Sequence, residues 1–307
     1  MKTWILKAIV QKTISFLPYK HQINYFFQRY VTKGVLLNNT YFTDRLVHAN
    51  KHLRFFEQYS HTTTPSTTLE LGTGWYPVVP ISLFLNGADT IYTVDISPLL
   101  NHNTMLTTIQ KMVDYAHSNQ LKNYITYQPQ KLAQLEQLLK NPPDTLQAIL
   151  DVLHIKYLIA DARNLPLPNN SISLITSNNT FEHIYPNILK AILAEFKRIS
   201  QKNGGIQSHF IDMSDHFAHF DQSITIYNYL QFSDAQWALI DNSIQPQNRL
   251  RLPNYLQIYQ QIGLPITHQE LRTDSENDLK KVPVHRQYAN LSTHDLAVSH
   301  CYLISKL

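Results

Sequence analysis

A chain of 307 residues can bury one large hydrophobic core, or one core plus a modest appendage. Hydrophobic residues make up 43% and charged residues 16%, so the composition excludes a disordered chain. The single cysteine, Cys301, excludes an internal disulfide and a cysteine metal cluster, and a net charge of +4 is too small to indicate nucleic acid by itself.

The N-terminal segment is basic and rich in aromatic residues. From Met1 to Thr43 it contains six Lys or Arg residues and not one Asp or Glu. We expect residues 1–65 to form a helical lid on the main domain, and the alternative is a peripheral contact with an anionic membrane surface. Lys7 interrupts the apolar opening, no small-residue cleavage site follows, and no run of about 18 apolar residues occurs, so the predicted location is cytoplasmic.

The main domain is predicted to begin with a strand, a turn, a helix and a second strand. Ser66–Leu71 is a short β-prone run that ends at a Gly-Thr-Gly turn. A helix then extends from Pro77 to Asn86, with Gly87 just past its end. Thr90–Asp95 is the next strand. A helical insertion over about 101–155 follows, with helices expected at Asn103–Ala116, Gln130–Leu139 and Asp144–Leu153.

Strands and helices continue to alternate in the second half. Tyr157–Ala160 is expected to be a short buried strand and Ile172–Ser177 another, and Pro186–Ser200 has the apolar spacing of an amphipathic helix. Ile206–Ile211 is the next strand. The remaining elements are helical stretches at Gln222–Ile240 and Pro253–Ile262 and a strand-like run at 296–306.

This alternation predicts the fold class. We expect an α/β domain over residues 66–307 with a Rossmann-like, doubly wound and mostly parallel seven-stranded sheet and helices on both faces. In such sheets, ligands bind beyond the carboxyl ends of the strands.

The first loop is therefore the expected ligand site. Gly72 and Gly74 allow the backbone to pass close under a ligand, and Asp95, 23 residues beyond Gly72, can accept both hydroxyls of a ribose. A glycine pair alone would indicate only a tight turn. Together with Asp95 it predicts nucleoside binding.

With these residues, the chain resembles the class I S-adenosylmethionine methyltransferases. Glu70 matches the family's acid two residues before the first glycine, which approaches the amino group of the methionine moiety. The run from Ala160 to Pro168 looks like the family's D-A-x-x-L-P segment, in which Asp161 would hold the adenine amino group. The resemblance, from about Thr68 to Ile211, implies S-adenosyl-L-methionine bound by Glu70, Gly72, Thr73, Gly74, Asp95, Ile96, Asp161, Ala162, Asn178 and Asn179.

The same resemblance implies that residues after the fourth and fifth strands face the methyl group. Histidine and carboxylate side chains there could position or deprotonate a hydroxyl or amine. A divalent cation is an alternative for these groups, although the predicted site contains no metal. The structural alternative is a loop that caps the next helix, with Asp221 as its N-cap. The catalytic candidates are Asp215, His216 and His183, and the substrate-contact candidates are His219, Asp212 and Glu182.

The expected function is methyl transfer, by in-line displacement, to an O or N atom of a small molecule or a glycan or lipid precursor. The alternatives are a nicotinamide-dependent oxidoreductase and a non-catalytic protein of the same fold that binds S-adenosylmethionine. Tyr76 and Pro77 stand where a dinucleotide fold expects a third glycine, which disfavours the oxidoreductase. No nucleic-acid partner is expected, and the sequence does not indicate an oligomeric state.

Overall fold

The computed structural model describes residues 3–18 and 36–307. The described α-helices are α1 (Thr3–Ile14), α2 (Asn39–Ser60), α3 (Val78–Asn86), α4 (His102–His117), α5 (Pro129–Lys140), α6 (Leu146–Val152), α7 (Pro186–Ile199), α8 (Asp234–Ile240), α9 (Leu252–Gln261), α10 (Glu276–Lys280) and α11 (Thr293–Ala297). The strands are β1 (Thr67–Leu71), β2 (Thr90–Asp95), β3 (Ile155–Ile159), β4 (Leu174–Asn178), β5 (Ile206–Asp212), β6 (His268–Thr273) and β7 (Val298–Lys306).

The seven strands form one sheet in the order β3-β2-β1-β4-β5-β7-β6. Strands β1 to β5 are parallel, and β7 runs antiparallel between β5 and β6. The predicted mostly parallel, seven-stranded sheet is confirmed. The strand order reverses between β1 and β4, so a crevice opens at the carboxyl ends of these two strands.

Helices cover both faces of this sheet. Neighbouring strand residues point to opposite faces, and Leu174 packs with α2 to α6 whereas Ile175 packs with α7 and α9. In the same way, Ile304 packs on the face of Leu174 and Leu303 packs on the face of Ile175. Each face therefore carries its own apolar core, as a doubly wound fold requires.

The predicted turn at the end of α3 is confirmed. Gly87 has a φ of 116°, and its N–H donates to the carbonyls of Leu83 and Phe84. A left-handed residue in this position closes a helix and is most easily a glycine. The chain thereby turns back toward β2, whose predicted bounds are also confirmed.

Three expectations for the described elements were wrong. The helix over Gln222–Ile240 is reduced to a 3₁₀ turn at Asn228–Gln231 followed by α8, because Ser233 caps α8 with a reciprocal Gln236 contact. The third strand, expected to be buried, is the sheet edge, and only Ile155 in it is buried. The strand β6 was not expected, since its residues are predominantly polar and exposed.

The described N-terminal helices have different surroundings. Helix α2 belongs to the core of the sheet, where Phe42 and Leu46 are fully buried. Helix α1 instead packs through Trp4 against Phe217 and Phe232. The division of the chain at residue 65 stays a prediction, and residues 19–35 of the predicted lid lie outside the described residues. Among the described helices, none has both the length and the apolar character needed to cross a bilayer.

Candidate active site

The loop after β1 folds over the end of β2. Gly72 and Gly74 have φ values of 79° and 70°, in the left-handed region that favours glycine. The Gly74 N–H donates to Asp95 Oδ2 at 3.1 Å. The loop therefore brings its own backbone and the Asp95 carboxylate to the crevice at the carboxyl ends of the strands.

Two buried carboxyl groups lie beside this loop. Burial raises the pKa of Asp95 to about 7, although the N–H groups of Gly74 and Thr73 act to lower it. Burial, with the nearby charge of Asp95, also raises the pKa of Glu70 to about 7, while the Thr73 hydroxyl, which donates to Glu70 Oε2 at 2.9 Å, opposes this. Neither carboxyl group forms an ion pair with a described residue. Their acceptor oxygens fit a ligand that carries an amino group and vicinal hydroxyls.

Gly72 also allows a close contact between two loops. A Cβ added at this residue would lie 2.4 Å from Thr180 Oγ1 and 2.8 Å from Thr180 Cγ2, in the loop after β4. At Gly74, by contrast, an added Cβ would meet nothing within 4 Å. The first loop can therefore lie this close to the loop after β4 only because residue 72 is a glycine.

We expect Gly72→Ala to destabilise the protein more than Gly74→Ala. Both variants strain a left-handed backbone by about 1–2 kcal/mol, but only Gly72→Ala also creates a clash, which costs roughly 1–3 kcal/mol more. Denaturant unfolding measures the difference. Thr180→Ala in the Gly72→Ala background should recover most of the extra loss, and equal losses for the two single variants would contradict the contact.

The predicted adenine contacts lie at the ends of β2 and β3. The Asp161 carboxylate is half-exposed and accepts from Arg163 Nε at 2.9 Å through both oxygens, and the Arg163 guanidinium lowers the pKa of Asp161 to about 2. Ala162 is buried, whereas Ile96 is 78% exposed next to Asp95. An exposed apolar side chain there could cover a flat ring. The assignment of Asp161, Ala162 and Ile96 to adenine stays a prediction.

The two asparagines after β4 have different surroundings. Asn178 Oδ1 accepts from His52 Nε2 of α2 at 2.9 Å, so its side chain is tied to the core. Asn179 has a φ of 48° and lines a cavity, and its Oδ1 is buried without a hydrogen-bond partner among the described residues. Asn179 therefore lines the cavity directly before Thr180, the residue that lies against Gly72.

The cavity has a volume of about 790 Å³ and lies at the carboxyl ends of β4 and β5. Helices α1 and α2 form one side of it, through residues such as Lys7 and His48. Strands β6 and β7 form the other, with Glu270 and His300. It has room for a small polar molecule. Of the predicted catalytic and substrate residues, it brings together His183, Asp212, His216 and His219.

Asp212, the last residue of β5, lies among three imidazoles. Its Oδ2 is 3.4 Å from His216 Nε2 and 3.7 Å from His219 Nε2, and its Oδ1 is 3.4 Å from His300 Nε2. Burial acts to raise the pKa of Asp212, but its contacts with His216 and His219 outweigh burial and hold the pKa well below its usual range. Asp212 is therefore ionised at any physiological pH.

The pKa values of two of these imidazoles are shifted in opposite directions. The contact with Asp212 raises the pKa of His219, whose Nε2 also lies 3.2 Å from Ser214 Oγ. Burial lowers the pKa of His300, despite the charge of Asp212. An imidazole oriented by a carboxylate and open to solvent, as His219 is, can accept a proton and release it.

Asp215 is not brought to this cavity. It is fully buried, and it accepts from the Phe217 N–H at 2.8 Å and from Asn228 Nδ2 at 2.9 Å. Burial raises the pKa of Asp215. Its predicted catalytic role stays a prediction, and its position favours a role in holding the loop.

The sequence reasoning missed the cavity residues of α2 and β7. His48 and Tyr302 form a buried contact between their Nδ1 and Oη atoms, and Lys51 contacts Glu270. His48 and His52 are four residues apart on α2, a spacing that places both on one helix face. That spacing is the signal that could have indicated their proximity to the sheet.

Residues 124–206 match a family model described as a methyltransferase domain. The matched range contains Asp161, Glu182 and His183, and it ends at the start of β5. No curated protein sequence matches the chain significantly.

Several solved structures are similar to this chain. A protein of Pyrococcus horikoshii OT3 is 11% identical with a TM-score of 0.49, over 91% of this chain and 97% of that chain. An S-adenosylmethionine-dependent methyltransferase from Mesorhizobium loti is 13% identical with a TM-score of 0.44, over 83% and 95%. One from Aquifex aeolicus is 13% identical with a TM-score of 0.40, over 85% and 90%.

Proposed function

We propose that this S-adenosylmethionine-dependent methyltransferase methylates an oxygen or nitrogen atom of a small polar molecule held in the cavity beside Asp212. The observation that carries the proposal is the ionised Asp212 among three imidazoles at the carboxyl end of β5. Asn179 lines the same cavity as this cluster, and the next residue, Thr180, lies against Gly72 of the glycine loop. A methyl donor and a proton acceptor would thus occupy adjacent sites.

The residues beside the glycine loop fit the cofactor. Glu70 and Asp95 offer buried acceptor oxygens for an amino group and for ribose hydroxyls, and the loop at Gly74, where an added Cβ would meet nothing within 4 Å, leaves room for a ligand close to its backbone. S-adenosylmethionine supplies a methyl group on a sulfonium, which is the activated part of the reaction. The protein must align the acceptor and take up a proton.

The cavity residues would perform these two tasks. His219 is oriented by Asp212 and is open to solvent, so it can take a proton from an acceptor hydroxyl or amine and pass it to water. The fixed negative charge of Asp212 stabilises the imidazolium that forms. Lys7 and Gln11 of α1 lie on the cavity wall, where they can position polar groups of the acceptor.

Calorimetry with S-adenosylhomocysteine tests the cofactor half of this proposal. We expect micromolar binding, and we expect Asp95→Ala to weaken it by about 1.5–3 kcal/mol because a charge-assisted pair of ribose contacts is lost. The pKa of Asp95, about 7 in the free protein, means that affinity falls below pH 7 as the carboxylate takes up a proton. Binding of NADH without binding of S-adenosylhomocysteine would instead favour the oxidoreductase.

Methyl transfer itself is tested with labelled cofactor. The protein is incubated with methyl-labelled S-adenosylmethionine and a low-molecular-mass cell extract, and labelled products are identified by mass spectrometry. We expect a labelled small molecule with wild type and none with Asp95→Ala at low cofactor concentration. Label found only in protein or nucleic acid would contradict a small-molecule acceptor.

A further inference from the structure

Glu182, in the 3₁₀ turn after β4, is a buried carboxyl group without a partner. Its side chain is 2% exposed, and neither Oε1 nor Oε2 has a hydrogen-bond partner among the described residues. It forms no ion pair with any described Lys or Arg. A buried carboxylate costs several kcal/mol unless a cation or hydrogen-bond donors compensate it. In the free protein, burial raises the pKa of Glu182 well above its usual range and favours the neutral acid, and a bound cation would compensate the carboxylate in place of that proton.

The next residue, His183, has a fixed tautomer. Its Nδ1 lies 2.7 Å from the Pro246 carbonyl. A carbonyl only accepts, so Nδ1 carries the hydrogen and the Nε2 lone pair is left available. Metal-binding histidines are commonly oriented in this way, through a carbonyl on the second ring nitrogen.

His216, from the loop after β5, completes the group. Its ring centroid is 4.9 Å from that of His183, and its buried Nε2 lies 3.4 Å from Asp212 Oδ2 without the geometry of a hydrogen bond to any described residue. One ligand atom each of Glu182, His183 and His216 lies within 4.8 Å of the other two. Ligands about 2.0–2.2 Å from one ion are separated by up to about 4 Å, so side-chain rotations of roughly 1 Å bring all three to a single ion.

We propose that Glu182, His183 and His216 bind one divalent transition-metal ion at the wall of the acceptor cavity. Two imidazoles and one carboxylate are a ligand set for zinc and for non-haem iron(II), and they leave coordination positions open. His183 and His216 line the cavity, so the open positions face it. Calcium and magnesium, which prefer oxygen ligands, fit less well.

Building on the proposed function, the metal site narrows the acceptor class to molecules with a hydroxyl group. A divalent ion beside a hydroxyl favours its ionised form. The acceptor hydroxyl gives its proton to His219, its oxygen forms the new C–O bond, and the C–S bond breaks with the electron pair left on sulfur. Asp212 stays ionised beside His219 throughout, and the proton leaves to solvent.

Metal binding is measured on the full chain without any acceptor. The protein is stripped with a chelator, titrated with Zn²⁺ or Mn²⁺ by calorimetry, and its metal content is measured by mass spectrometry. We expect one ion per chain, an increase in melting temperature with metal, and a loss of affinity of about 100-fold or more in Glu182→Gln. His48→Gln, which removes an imidazole of the same cavity outside the ligand set, should keep the wild-type affinity within a few-fold.

Stability separates a failed ligand from a failed fold. Glu182→Gln keeps the shape of the neutral acid that burial favours, so its metal-free form should melt close to the wild-type temperature. Wild-type protein that binds S-adenosylhomocysteine but no metal, or a folded Glu182→Gln variant that binds metal as wild type does, overturns the metal site and leaves the proposed function standing. Metal binding without S-adenosylhomocysteine binding supports the site and overturns the proposed function.

Discussion

Asp212→Asn is expected to lower the methyl-transfer rate about 10²–10⁴-fold, the range that a lost general base accounts for. The change keeps the shape of the side chain but removes the charge that orients His219 and raises its pKa. An uncharged residue would leave His219 a weaker base in an undefined orientation. Cofactor affinity should stay within a few-fold of wild type, because Glu70 and Asp95 lie at the ends of other strands.

Asp215→Asn is the matched control for this experiment. Asp215 is three residues further on and fully buried, but it contacts Phe217 and Asn228 rather than the cavity. We expect its replacement to lower the melting temperature and to keep the rate of the folded fraction. Rate losses of equal size in the two variants, at equal cofactor affinity, would indicate that Asp215 is also catalytic. That result would contradict the assignment of catalysis to Asp212 alone of these two residues.

Arg251→Met is expected to destabilise the protein by about 3–5 kcal/mol, the loss typical of removing one partner from a buried, hydrogen-bonded charged group. Arg251 is fully buried and donates to the Met213 and Leu296 carbonyls at 2.5 and 2.8 Å, to Tyr229 Oη at 2.5 Å and to the Val298 carbonyl. Methionine fills similar space but removes the donor to the Leu296 and Val298 carbonyls and to Tyr229 Oη, whereas the Met213 carbonyl keeps the Tyr229 hydroxyl at 2.6 Å.

Arg251 also has a link to the cavity. Met213 follows Asp212, and Val298 opens the strand that carries His300, so one guanidinium joins the two backbones that hold the carboxylate and an imidazole. Denaturant unfolding measures the stability loss, with Arg54→Met as the control because Arg54 is exposed on α2. A loss at Arg251 no larger than at Arg54 would show that its hydrogen bonds contribute little.

The sequence predicted what periodicity and short-range spacing determine. The alternation of strands and helices from Ser66 to Ile211 depends on local signals, and the sheet confirmed it, whereas the cofactor roles of the glycine loop and Asp95 stay predictions. Strand β6 had no such signal, because HQELRT at a sheet edge is polar on most positions. Its place beside β7 is decided by long-range pairing.

The acceptor half of the site was harder to predict for a geometric reason. The run Asp212-Met213-Ser214-Asp215 offers two carboxylates, and only the exact point where β5 ends decides which one faces the cavity. Asp212 still belongs to the strand, whereas Asp215 lies in the following turn. His48, His300 and Glu270 come from distant parts of the chain and meet only in the folded sheet.

The position of β7 has a consequence for the order in which the two halves of the site can form during synthesis. Strands β1 and β2, which hold the proposed cofactor residues, pair with neighbours made before residue 180, and β7 takes no part in that pairing. Strand β7 is made after β6 yet lies between β5 and β6, so His300 meets Asp212 only when Val298–Lys306 has left the ribosome. A nascent chain can therefore form the proposed nucleoside site long before the proposed acceptor site, and until then the edge of β5 is unpaired.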